Sequence, residues 1–252
     1  MNDAVSTLTL SDARDDFGVA GRPDCVRRPM PSANVDERYV LSELPWDAGA
    51  LAPYCSREMI VLHHDLHHGA HVDRANRALQ QLDSARRRRD WLTVTQLETD
   101  LAVNLSEHAL HTILWTNLAP PTGAQPQGTL RAALDNSFGS VDAFREQFMT
   151  VATAMRSGGW VTVAWDPYGR RLVIEPILDR HSIAICNTHL LLVCDVWEHA
   201  YSLQYGKARN EWLEAFWEIV DWRNVESRLI AQLSVFVLEP YTAPLFGCAA
   251  GT

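Results

Sequence analysis

An α+β fold is what this sequence predicts, and three observations carry it. Two long stretches of helical periodicity open the body of the chain, joined by a short polar connection, which makes an antiparallel α-hairpin domain. After residues 119–128, rich in Pro and Gly, the pattern changes to two-residue alternation in two short runs, with a third apolar run behind them. Helical periodicity then resumes, so the second domain combines helices with a three-stranded antiparallel sheet.

Residues 1–38 mix charge, Pro and Gly without periodicity and read as a mobile or loosely docked extension. Ser56, with Glu58 and Met59 behind it, fits a capped helix start, and that helix is expected to reach about Leu82. After a connection from Ser84 to Asp90, the second helix runs through Leu97, Leu101, Leu105, His108, His111 and Trp115 and stops before Pro120. Residues 39–122 thus form the hairpin domain and 123–233 the α+β domain. In the latter, Phe138-Gly139-Ser140 separates two short helices, and Asp166-Pro-Tyr-Gly169 turns the strand from Trp160 into the strand from Arg171. The run from His189 to Cys194 is the third strand and leads into Asp195. Helices follow from Val196 and from Asn210 to about Gln232, and 234–252 is left as a tail, an arm against a neighbouring subunit or against its own chain.

Composition narrows the function. A chain of 252 residues with 47% hydrophobic and 21% charged residues buries an ordinary core without disulfides. The net charge of -9 argues against a nucleic-acid partner, and the one basic run, Arg86 to Arg89, reads as a solvated helix end. No apolar stretch is long enough to span a membrane and the start lacks a secretory pattern, so a cytoplasmic location is expected. The five cysteines are scattered, with no C-x-x-C pair, and read as idle thiols.

The chemistry lies in two segments far apart in the chain, Val61-Leu-His-His-Asp-Leu-His-His68 and Asp195-Val-Trp-Glu-His-Ala-Tyr201. On an α-helix His63, His67 and His71 share one stripe, with His64 and His68 beside it. His108 and His111 repeat the theme on the facing helix, while Asp195 and His199 supply a two-ligand half-site. Together they offer three imidazoles and a carboxylate with a coordination position left open, and helical spacing alone makes His67 a second ligand from its helix. The alternative is a polar helix face of satisfied imidazoles. Imidazole and carboxylate without paired thiolates suit one Fe or Mn ion per subunit, with Zn less favoured.

The same residues carry a family resemblance. His63-His-x-x-His-His68, Trp115 four residues after His111, Ser157-Gly-Gly-Trp160, Asp195-Val-Trp-Glu-His-Ala-Tyr201 and Glu214-Ala-Phe-Trp217 resemble the iron/manganese superoxide dismutase family over about residues 39–232. The resemblance implies His63, His111, Asp195 and His199 as ligands, with solvent as the fifth. His67 becomes a residue that bonds the other subunit's tyrosine, matched by Tyr201, and Glu198 reaches the partner's ligand histidine, so a homodimer, with tetramers open, is implied. Trp160 and Trp197 line the site.

Several positions depart from the family pattern. His71 stands where the family has a gateway tyrosine, and Thr162 replaces a pocket tryptophan, which predicts a wider and wetter pocket. Leu110 and Ser202 replace an asparagine and a tyrosine. The glutamine that donates to bound solvent is replaced at its two alternative positions by Glu107 and Arg180, expected to form a buried ion pair that moves the redox potential. Function is therefore read as dismutation of superoxide at a mononuclear metal. The alternative is an oxidoreductase of the same fold that acts on a small organic carboxylate with dioxygen or peroxide, the carboxylate held by Arg180.

Overall fold

The computed structural model describes residues 39–178 and 188–238, with side chains up to residue 234. The expectations for 1–38, for Arg180 and for the tail beyond Leu238 lie outside the described residues.

The hairpin begins with α1, Arg57–Val61, whose first turn is capped by the Ser56 hydroxyl accepting from the Met59 N–H. The helix then widens into a π turn, Leu62–His68, before it continues as α2, Gly69–Arg88. It thus ends at Arg88, beyond the expected Leu82, and Arg86–Arg88 form its solvated last turn. The connection shrinks to two residues: Arg89, left-handed at φ 58, reverses the chain, and Asp90 caps α3, Trp91–Asn117, by accepting from the Thr93 N–H. Leu82, Ala85 and Leu97 close the far end of the hairpin as a small apolar cluster of their own.

α4, Gly128–Phe138, and α5, Val141–Ala154, follow, with Ser140 capping the second. The sheet has the order β2-β1-β3, with β1 Trp160–Asp166 between β2 Arg171–Ile177 and β3 His189–Asp195. Both pairings are antiparallel, and Trp160 stands opposite Ile177 on one side and Asp195 on the other. Thr162 is fully buried in the central strand, with its hydroxyl directed to the Glu175 carbonyl at 3.3 Å. This corrects the expected wider, wetter pocket: within the chain Thr162 faces strand backbone and not open solvent.

The helical run expected after β3 is broken three times. Glu198–Ala200 is a short 3-10 turn, followed by α6 Ser202–Tyr205, α7 Arg209–Glu218 and α8 Trp222–Leu238. The break between α7 and α8 lets Val220 pair with Leu118 at the end of α3. Asp221 then caps α8 through the Arg223 and Asn224 N–H groups. Because α8 reaches Leu238, the first residues assigned to a tail continue this helix.

One apolar core joins the halves, with Leu110, Leu114 and Trp115 of α3, the inner faces of β1 and β3, and Trp212 and Phe216 of α7 in a single cluster. Asn117 ties α3 to the sheet: its side-chain amide donates to the Leu191 carbonyl at 3.0 Å and its carbonyl accepts from the Val193 N–H at 3.0 Å. The free edge of β3 is thereby satisfied by a helix terminus, which fixes where the strand delivers Asp195.

Candidate metal centre

The π turn sets the position of His63. Five-residue bonding, such as the Gly69 N–H to the His64 carbonyl, accommodates one extra residue per turn, and such turns occur mostly as short insertions at functional sites. Here it buries His63, with the ring edge-on to Trp115 at 4.9 Å and to His111 at 5.0 Å between centroids. His64, expected on a neighbouring stripe, turns away to Asp65 and the Ser42 carbonyl.

His111 enters from α3. Its Nδ1 lies 2.7 Å from the Glu107 carbonyl, which can only accept, so Nδ1 carries the proton and Nε2 presents a lone pair. That Nε2 is 3.1 Å from His63 Nε2. Asp195 arrives at the end of β3, fully buried. Its Oδ1 accepts from the Trp197 N–H at 2.8 Å and its backbone carbonyl from Trp212 Nε1 at 2.9 Å, leaving Oδ2 to face the imidazoles. Oδ2 is 3.1 Å from His63 Nε2, 2.9 Å from His199 Nε2 and 4.0 Å from His111 Nε2. His199 gets there without the expected helical turn, since Trp197 is extended at ψ 147 and the 3-10 turn at Glu198 swings the ring back.

Three ring nitrogens and one carboxylate oxygen from the π turn, α3, β3 and a 3-10 turn therefore converge, all within 4.8 Å of one another. A first-row ion with bonds of ~2.1 Å holds ligands at right angles ~3.0 Å apart, the spacing found from His63 to His111 and to Asp195. The donor chemistry agrees. Burial holds His63 and His111 below the usual imidazole range, so both are neutral ligands. Burial also pushes Asp195 upward, but His199 and His63 outweigh it and hold the carboxyl below its ordinary range, so it is ionised.

Around this cluster, Trp160 stands edge-on to His111 at 4.9 Å, and Trp115 donates to His68 Nδ1 at 3.0 Å. Indole is only a donor, so neutral His68 carries its proton on Nε2 and passes it toward His108 Nδ1 at 2.7 Å. His68 stacks on His111 at 5.0 Å and 15°, which makes it a neutral wall of the site; burial pushes its pKa down to about 3. The Ser157-Gly-Gly-Trp160 loop admits only glycine. A Cβ on Gly158 would lie 2.6 Å from the Trp197 ring, and one on Gly159 2.5 Å from the Ile177 carbonyl, both at positive φ.

His67, His71 and Glu107 form a second group beside the first, with ligand atoms again within 4.8 Å of one another. His67 stacks on His199 at 3.7 Å and 25°, and burial pushes it to about 3. Its Nε2 is buried, with no hydrogen-bond partner among the described residues. Tyr201 is also buried and its hydroxyl accepts from Arg209 Nε at 3.3 Å, while Glu198 is exposed; within one chain neither is bonded to His67 among the described residues. Asn104 was not anticipated as part of the site. It lies on the periodic stripe of α3 with Leu97, Leu101, His108 and His111, where a polar residue was the available signal.

Sequence comparison agrees with this architecture. The profile of the iron/manganese superoxide dismutases, alpha-hairpin domain, matches residues 38–119, and that of their C-terminal domain matches residues 126–228. The chain is 41% identical over 196 residues to a protein named superoxide dismutase [Fe] from Mycobacterium tuberculosis, covering 78% of this chain and 95% of that one. It is 41% identical over 192 residues to superoxide dismutase [Mn/Fe] of Propionibacterium freudenreichii subsp. shermanii, covering 75% and 96%. With superoxide dismutase [Mn] of Mycobacterium leprae it shares 38% over 196 residues, covering 78% and 95%.

Proposed function

The chain belongs to the iron/manganese superoxide dismutase family, and from that premise we propose that it disproportionates superoxide at one Fe or Mn ion held by His63, His111, Asp195 and His199. The single observation that carries this reading is the convergence of three imidazole nitrogens on Asp195 Oδ2 in a buried site. When bound, the ion supplies the alternating one-electron steps by which two superoxide ions and two protons become dioxygen and hydrogen peroxide.

The protein's own groups do the rest. Asp195, fixed through Trp197 and Trp212, gives one negative charge to an otherwise neutral ligand set. Trp115 and Trp160 wall the site with aromatic surface and keep bulk water from the ligands. His199, with 26% of its side chain exposed, and half-buried His67 mark the open side, where a small anion approaches. His71, anchored through Nδ1 to Asn104 at 2.9 Å, is the titratable group placed beside the cluster to move protons.

A homodimer follows the same reading: the buried His67 Nε2 lacks a partner within the described residues, and Tyr201 of the partner subunit fits it. The division between the hairpin and α+β domains is placed at residues 122 and 123. The organic-acid reading depends on Arg180, outside the described residues, and no observation favours it.

The test is superoxide decay measured per bound Fe or Mn, with His63→Ala as control. The account expects decay in proportion to bound metal and a variant that falls to the spontaneous rate. Metal-loaded protein that leaves the spontaneous rate unchanged overturns it.

A further inference from the structure

The second group of ligand-type side chains, His67, His71 and Glu107, lies outside the four proposed ligands. We propose that these three residues form a second cation site, specific for a divalent first-row ion such as Zn2+. The inference stands on geometry within one chain and does not rest on the dismutase reading.

Two imidazoles and one carboxylate are a ligand set that such ions accept with positions left open for solvent. One ligand atom from each residue lies within 4.8 Å of the others. Bonds of ~2.1 Å draw donors to ~3–4 Å apart, so small side-chain movements complete the site.

His71 is oriented as a ligand. Asn104 Nδ2 donates to the Asp100 carbonyl at 2.7 Å, which fixes the amide so that Oδ1 faces His71. His71 Nδ1, 2.9 Å from that oxygen, therefore carries the proton, and Nε2 is the nitrogen with the lone pair. A metal-binding histidine ordinarily donates its other ring N–H to a carbonyl or carboxylate, and Asn104 supplies that carbonyl from inside the hairpin. The site is anchored by helices: His71 on α2 and Glu107 on α3 are 3% and 2% exposed, so their backbones are rigidly placed. His67, at the end of the π turn, is half-buried and gives the ion its approach. Its second ring nitrogen remains for the subunit contact proposed above.

The experiment counts ions on protein already loaded with Fe or Mn. Excess Zn2+ is added, unbound metal is removed by dialysis, and both metals are quantified per subunit. The expected result is about one Zn2+ gained with no loss of Fe or Mn. Glu107→Gln and His71→Gln, both close in shape to the residues they replace, are expected to weaken Zn2+ binding at least tenfold, and Asn104→Leu by ~10–100-fold through the freed His71 ring. An anomalous peak at the zinc edge is expected among the three side chains. No added Zn2+, Zn2+ that rises only as Fe or Mn falls, or Zn2+ retained in both Glu107→Gln and His71→Gln overturns the proposal. None of these readouts uses superoxide, so failure here leaves the dismutase reading untouched.

Discussion

At the scale of single residues, the site depends on how Asp195 is held. Its Oδ1 and backbone carbonyl are committed to Trp197 and Trp212, so Oδ2 has one task. Asp195→Asn keeps the shape and removes the charge, and metal retention measured against a chelator is expected to fall ~100-fold or more. The neutral histidines make a second prediction. His68 is held at about 3 in the native state, against an ordinary imidazole value near 6.5. Above ~pH 6.5 neither state binds the proton and burial carries no penalty. Below it the unfolded chain takes up a proton that the native state refuses, so stability falls with pH by up to ~1.4 kcal/mol per unit, levelling near pH 3. Urea melts of metal-free protein from pH 7.5 to 5 check the sign; half-buried His67 adds a smaller share. The four proposed ligands were legible in the sequence because ligand residue types recur there at close spacing. Trp212 was not, since its bond is to a backbone carbonyl 17 residues away, and no side-chain pattern records such a link.

At the scale of elements, spacing misled most where backbone geometry departs from the α-helix. Stripes drawn at i and i+4 through the five histidines assume regular bonding, yet Leu62–His68 is a π turn. What favours it is tertiary: the burial of His63 against Trp115 and His111, which no local propensity encodes. Deleting Leu66, 63% exposed, removes the residue that the wide turn accommodates. Circular dichroism is expected to show unchanged helix content while Fe or Mn binding is lost; a variant that keeps its metal would show that the π turn does not place His63. The breaks after Asp195 were missed for a related reason. Residues 196–201 carry helix-compatible side chains, but the Asp195 carboxylate captures the Trp197 N–H and the chain must stay extended to place His199. Strand limits, by contrast, were nearly right, because alternation and the Asp166-Pro-Tyr-Gly169 turn are local signals.

At the scale of the whole molecule, the metal centre is also the joint between the halves: two proposed ligands come from the hairpin and two from the α+β half. Asn117 and the Leu118–Val220 pairing hold the same seam, so occupancy and global stability should be linked. The buried His67 Nε2 argues for a second subunit. Light scattering is expected to give twice the mass of one chain at micromolar concentration, and His67→Ala to shift it toward the monomer. The central claim is that four side chains from four separate elements grip one redox ion. Anomalous diffraction at the iron and manganese edges tests it directly on crystals of the metal-loaded protein. The account predicts the strongest peak within bonding distance of His63, His111, Asp195 and His199 together; a peak that misses any of the four, or none at that place, would contradict it.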